Sequence, residues 1–113
     1  MSRNTAYVRL SEAGEQARAR WHQLISMARE AERRERRGES TAHLRRKLTV
    51  LRREAAEWMT QCNWSGESGE RLRTFTWLRC GEGWTLERMA QTFDIGRDRT
   101  MEMQREMWNR LGR

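Results

Sequence analysis

Two runs of apolar residues, spaced alternately by four and three and set on either side of one glycine, constrain this chain most. Ala17, Trp21, Leu24, Ala28 and Ala31 precede Gly38; Leu44, Leu48, Leu51, Ala55, Trp58 and Cys62 follow it. A mean apolar repeat of about 3.5 residues places one stripe along each of two helices. The spacing predicts a first helix over 12–37 and a second over 41–62. Ser11 with Glu12 and Glu15 behind it suits a helix start, since a hydroxyl accepts from a first-turn N–H and acidic groups favour the positive end of the dipole. Gly38 suits the left-handed residue beyond a helix end. Folding back at Gly38 sets Ala28 against Leu48, Leu24 against Leu51, Trp21 against Ala55 and Ala17 against Trp58, so that each tryptophan meets an alanine. Residues 12–62 are therefore expected to form an antiparallel helical hairpin. Two helices bury little, so the hairpin must pack on the rest of the chain or on a second copy.

Residues 1–11 carry little pattern and read as an arm whose end Tyr7, Val8 and Leu10 pin to the body. Asn63 to Gly69 clusters small and turn-forming residues and reads as a linker, with Ser68 capping the next helix. That helix is expected from about Glu70 to Cys80, with Leu72, Phe75, Leu78 and Arg79 along one side, and Gly81-Glu82-Gly83 ends it. Thr85 then caps a short helix, and Trp84 and Met89 are spaced for a hydrophobic staple across its start. Leu86, Met89, Ala90 and Phe93 form its apolar face. At Asp94-Ile95-Gly96 the chain turns, with Gly96 taking a backbone most residues resist. A last helix follows with Thr100, Met103, Met107 and Leu111 inward, while Met101 and Trp108 lie off that face as a candidate interaction patch. A helix, a tight turn and a longer helix with an exposed start is the pattern of a helix-turn-helix, and 70–113 supply the three helices that such a unit needs. The chain has no proline. The fold class expected is all-α: an N-terminal antiparallel helical hairpin followed by a C-terminal three-helix helix-turn-helix unit.

Charge qualifies the nucleic-acid reading. The formal net charge of +7 suits a polyanionic partner. Residues 1–64, however, hold 14 Arg/Lys against 8 Asp/Glu, whereas 65–113 hold 9 against 8. The unit with the DNA-reading pattern is nearly neutral, and the basic surplus lies in the hairpin.

Cys62 and Cys80 are too few for a disulfide framework or a zinc ribbon, and no spacing joins them to His22 and His43 as a ligand set. Gly66-Glu67-Ser68-Gly69 lacks the spacing of a nucleophile elbow. With no triad, metal set or phosphate loop, no catalytic residue, metal or cofactor is expected, and the chain reads as a non-enzyme. Nothing resembles a signal peptide or a membrane span, which makes a reducing cytoplasm in a bacterial host the expected location.

The last helix supplies the candidate base contacts: Arg97, Asp98, Arg99, Met101, Glu102 and Arg105. Its first turn is the part that normally reaches base edges; Arg97 or Arg99 suits guanine, and Glu102 suits the amino group of cytosine. Exposed carboxylates at Asp98 and Glu102 oppose phosphate, and these charges also read as ordinary solvated pairs, Asp98–Glu102–Arg105 and Glu106–Arg110. Thr85, Arg88 and Arg79 are placed for phosphate contacts. Arg33, Arg34, Arg36, Arg37, Arg45, Arg46 and Lys47 cluster, with Arg29, Arg52 and Arg53, towards the hairpin tip. They read either as a phosphate-gripping patch or as a solvated face interleaved with Glu30, Glu32, Glu35 and Glu39.

The span 72–111, about a third of the chain, resembles the C-terminal helix-turn-helix of small phage transcription regulators, including Q-type late-gene antiterminators, and the region-4-like domains of sigma factors. Gly83-Trp84-Thr85, Met89-Ala90 and Phe93-Asp94-Ile95-Gly96-Arg97 carry the resemblance. The sequence departs from that pattern at Asp94, where glycine is common, and at Gly96, where serine often caps; zinc ligands of some Q-type proteins have no counterpart. Glu30-Ala31-Glu32-Arg33-Arg34-Glu35-Arg36-Arg37 is similar to the arginine-rich RNA-binding peptides of N-type antiterminators. The resemblance implies a DNA-binding transcription regulator, with antitermination as its sharpest form and double-stranded DNA, RNA polymerase, RNA or a second copy as partners. Two other readings fit the same residues: a protein-binding inhibitor or adaptor that uses the basic hairpin, and a DNA-packaging or recombination accessory.

Overall fold

Residues 9–112 are described by the computed structural model, and among them every regular element is helical. In chain order these are α1 (Glu12–Arg36), α2 (Ala42–Thr60), α3 (Gly69–Thr76), a π-helical turn (Trp77–Gly81), α4 (Leu86–Phe93) and α5 (Arg97–Leu111). The all-α expectation holds. Tyr7 and Val8 fall outside the described residues, and Leu10 packs half-buried against the core.

Ser11 starts α1 as its sequence suggests, its Oγ accepting from the Gly14 N–H at 2.9 Å. Beyond α1, Gly38 takes φ +77, a conformation that costs glycine nothing. The chain reverses there and α2 returns along α1. The Trp21 and Trp58 rings lie 6.4 Å apart, and the Arg20 guanidinium sits 5.5 and 5.4 Å from their centroids. Each tryptophan was expected opposite an alanine; the two also touch each other. Across the tip, Glu35 accepts from Arg45 Nε at 2.7 Å and from the Thr41 hydroxyl at 2.8 Å.

The expected α1 stripe is buried, but it is wider than a two-helix seam requires, because Ile25 joins it at 1% exposure. Two sets of neighbours explain the width: α2 on one side, α5 and the π-helical turn on the other. Helix α2 is the more peripheral member. It buries only Leu48, Ala55 and Met59, leaving Leu44, Leu51, Trp58 and Cys62 half-covered. One apolar cluster runs through all five helices.

Three corrections concern the C-terminal half. Helix α3 stops at Thr76, and the π-helical turn inserts an extra residue, so the buried face passes from Phe75 to Thr76 and Cys80 instead of Leu78 and Arg79. Ser68 makes no capping bond, since its backbone (φ −101, ψ 9) is not the extended form that aims a hydroxyl at the first turn. Trp108 is not a rim residue; α5 is clasped by α1 on one side and by α3 and α4 on the other, so a second stripe is covered and Trp108 is 3% exposed.

The turn between α4 and α5 also differs. Asp94, not Gly96, adopts the left-handed conformation (φ 53, ψ 53), which short polar side chains tolerate. Gly96 is extended (φ −76, ψ 171) and begins α5 without a side-chain cap. Thr85 does cap α4, accepting from the Arg88 N–H at 3.1 Å. Where α1 begins, Asn109 of α5 accepts from the Ser11 N–H at 2.8 Å and donates to the Arg9 carbonyl at 2.8 Å.

Residues 32–40 are exposed throughout, so the end of α1 and its turn project beyond the core. The molecule is elongated, 51 × 28 × 22 Å. At ~1.5 Å per residue, α1 alone spans ~37 Å.

Two measurements check this geometry. At Gly83 (φ +72) a Cβ would lie 2.8 Å from the Ala28 Cβ, whereas at Gly96 it would meet nothing within 4 Å. Gly83→Ala is expected to cost about 1–3 kcal/mol in urea unfolding, and Gly96→Ser to stabilise slightly by supplying the missing cap. The Glu35 carboxyl is held down from 4.5 to about 2 by hydrogen bonds from Arg45 and then Thr41. Its folded value is depressed, so its contribution to stability is complete above about pH 4.5 and is lost as pH falls towards about 2. NMR titration of Glu35 should give that low midpoint, and Arg45→Gln should move it back towards the ordinary value.

Candidate nucleic-acid interface

Helices α4 and α5 meet at a cleft of about 500 Å³, lined by Thr85, Leu86, Glu87, Ala90, Arg97, Thr100 and Met101. Thr100 anchors the start of α5 inward: it is 2% exposed and its hydroxyl donates to the Gly96 carbonyl at 2.8 Å. The residues around it are thereby turned outward.

The six candidate base contacts differ in freedom. Arg97 and Asp98 are exposed and form no ion pair among the described residues. Arg99 is exposed too, but it pairs with Glu102 one turn on and reaches Glu106 at 3.3 Å. Ion pairing does run along this helix: Glu102 and Glu106 share Arg99, while Asp98 forms no ion pair among the described residues. Met101 is half-buried in the cleft wall, and Glu102 and Arg105 are half-buried further along α5.

Of the three candidate phosphate contacts, Arg79 serves the interior. Its Nε donates to Gln104 at 2.9 Å and one terminal nitrogen donates to the Trp84 carbonyl at 2.8 Å, which ties the π-helical turn to α5 and to the loop before α4. Burial lowers the pKa of its guanidinium. Arg88 is exposed and its guanidinium sits over Trp84, 3.7 Å from the ring centroid. Thr85 is exposed at the start of α4.

At the tip, four of the basic side chains are held by carboxylates of α1. Glu30 accepts from Arg33 and Arg34, Glu32 from Arg36 at 3.5 Å, and Glu35 from Arg45. Arg37 pairs with Glu39 at 2.8 Å. Arg46 and Lys47 are exposed on α2, with no ion pair among the described residues. Solvent screens these surface pairs, and they leave most guanidinium donors facing solvent.

The sequence does not reveal how the tip meets the α4 corner. A second cleft, about 180 Å³, is lined by Arg29, Glu32, Arg33 and Arg36 of α1 and by Gly83, Trp84, Thr85 and Arg88. Thr85 borders both clefts. The basic face of α1 and the exposed start of α5 are thus joined across the N-terminus of α4. Arg29, Arg33 and Arg36 are spaced by four and three, which puts them on one side of α1 and is the trace of this arrangement in the sequence.

Elsewhere, Cys80 is buried and its thiol is pushed up to about 12, while burial raises Cys62 as well. Among the described residues no three His, Cys, Asp or Glu side chains gather as for a metal, and no helix is long and apolar enough to cross a membrane. Comparison with protein-family models, with curated proteins and with solved structures finds no match to this chain.

Arg79 makes two directed bonds that an ammonium cannot reproduce. Arg79→Lys is therefore expected to lower unfolding stability by about 2 kcal/mol. An exposed phosphate contact would tolerate that change, so an unaltered urea midpoint would refute the internal role.

Proposed function

We propose that the chain is a DNA-binding transcription regulator in which α3–α5 act as a helix-turn-helix and α1–α2 as a basic hairpin beside it. The observation that carries this reading is the pair of clefts sharing Thr85, because it puts positive charge next to a helix-turn-helix unit that is nearly neutral by itself. The start of α5 enters the major groove, with Arg97 at the leading edge and Met101 against the bases. Arg99, Glu102, Arg105 and Asp98 complete the face. Thr85 and Arg88 meet the flanking backbone, and the hairpin tip adds attraction along the same strand. A phage or mobile-element regulator that acts in antitermination with RNA polymerase is the sharpest form of the proposal.

The carboxylates on α5 give a specific test. Glu102 and Glu106 hold Arg99 and place negative charge on the face that would meet DNA. Glu102→Gln with Glu106→Gln is expected to tighten binding to arbitrary duplexes by about tenfold at low salt, since one repulsion is removed and Arg99 is released. Arg97→Ala should instead cost about 1–3 kcal/mol on the preferred site and flatten sequence preference. Fluorescence anisotropy on a selected duplex pool, repeated across salt concentrations, reads both effects. Absence of duplex binding by the unaltered protein even at low salt would overturn the reading; tight capture of a protein in that case would favour an adaptor.

A further inference from the structure

The cleft between α1 and the 83–88 corner has a chemistry of its own, and we propose that it is a seat for one phosphate group of the nucleic-acid backbone. This deepens the DNA-binding reading and rests on it. Four guanidinium groups line the cleft, from Arg29, Arg33, Arg36 and Arg88, against the single carboxylate of Glu32. That carboxylate is 3.5 Å from Arg36, a long exposed contact that a phosphate can replace. Arg33 is engaged by Glu30. Arg29 and Arg88 have no carboxylate partner among the described residues, and they reach the cleft from two different helices, α1 and α4.

Four features make this more than a general basic surface. The Arg88 guanidinium sits over the Trp84 ring, 3.7 Å from its centroid, and its donors form a fork that suits two phosphate oxygens. Gly83 lets the corner lie directly on α1: a Cβ there would come within 2.8 Å of the Ala28 side chain and 3.6 Å of the Arg29 Cγ. Without that approach, Arg29 and Arg88 could not share one cleft. The volume, about 180 Å³, far exceeds the ~10–15 Å³ that a single water needs. The Thr85 Oγ accepts from the Arg88 N–H, so its own hydroxyl proton is free to donate.

Placement supplies the partner. The seat adjoins the α4–α5 cleft through Thr85, so a backbone running past the start of α4 carries one phosphate into the arginine cleft while the neighbouring bases face Arg97 and Met101. The seat would fix the register of α5 on the duplex without reading sequence.

Arg29→Gln with Arg88→Gln is the test, compared with the charge-matched pair Arg18→Gln and Arg73→Gln at exposed positions away from both clefts. The seat variant is expected to weaken duplex binding at least tenfold, to lower the salt slope by about one, and to keep the order of preferred duplexes. The control should change affinity less than threefold. Equal weakening by the two pairs would overturn the seat and leave the DNA reading intact. If the unaltered protein binds no duplex at low salt, the DNA reading falls, and titration with inorganic pyrophosphate followed by the Trp84 indole N–H resonance decides the seat alone. A saturable shift lost in Arg29→Gln with Arg88→Gln retains it as a site for free phosphate groups; no saturable shift overturns it.

Discussion

The close approach of the Gly83 corner to α1 is the contact on which the rest of the structure depends. Helix α1 is long enough to serve as a spine, and it has two buried sides because Leu24, Ile25, Ala28 and Ala31 face different neighbours. Small residues decide where those neighbours come closest: Ala28 meets Gly83, and Gly14 meets Asn109 of α5, whose carboxamide oxygen would be 2.5 Å from an added Cβ. The first contact sets the loop before α4 and the second sets the end of α5. Both helices of the proposed reading unit are therefore indexed to the same rigid rod that carries the basic tip. Helix α2 is braced onto this frame by a hydrogen bond from the Trp58 indole to the Leu111 carbonyl at 2.8 Å.

Arginine has two separate roles in this molecule. Where the backbone leaves regular helix, a guanidinium closes the open carbonyls: Arg52 donates to Gly81 at 2.6 Å, Arg71 to Phe93 at 2.9 Å, Arg79 to Trp84, and Arg110 to Ser65 at 3.2 Å. Buried or half-buried carbonyls need such partners, and a charged donor with a fixed fork satisfies them well in a chain whose connections are short. These arginines hold the corners of the fold. Most of the other described arginines ride on α1 and α2 among glutamates, while Arg88 stands on α4 and Arg97 and Arg99 at the start of α5. Net charge counts both kinds alike, which is why a total of +7 says little about how much of the surface can meet a polyanion.

Much of the fold was legible because local rules and packing agree over 11–62. The four-three spacings, the Ser11 cap and the Gly38 stop all find their places, as does the Thr85 cap further on. Legibility fails where tertiary packing chooses between local options. A π-helical turn costs little in pattern but shifts every following residue round the helix, so the periodicity that pointed to Leu78 delivers Cys80 to the core. Trp108 looked peripheral from the period of α5 alone, and it is covered because α5 has neighbours on two sides. Asp94 and Gly96 exchange their expected conformations, since a left-handed residue is needed two positions earlier and aspartate can supply it. The arginine cleft depends on residues more than fifty positions apart, and no window along the chain contains it.

The neutrality of the C-terminal unit can then be understood as a division of labour within the proposed function. Long-range attraction depends on net charge and is indifferent to whether an arginine also touches a glutamate, so the paired tip still steers a polyanion. Short-range grip depends on donors that face the ligand, and on α5 one of them, Arg99, is held by two carboxylates. A reading helix that grips weakly alone discriminates better, because a wrong sequence must be held against Asp98 and Glu102 without compensating base contacts. Affinity supplied from α1, on a rod indexed to α4 by Gly83, lets α5 keep those carboxylates. Under the proposed function, the acidic residues that count against this helix as a solitary DNA binder would make it selective as part of the whole.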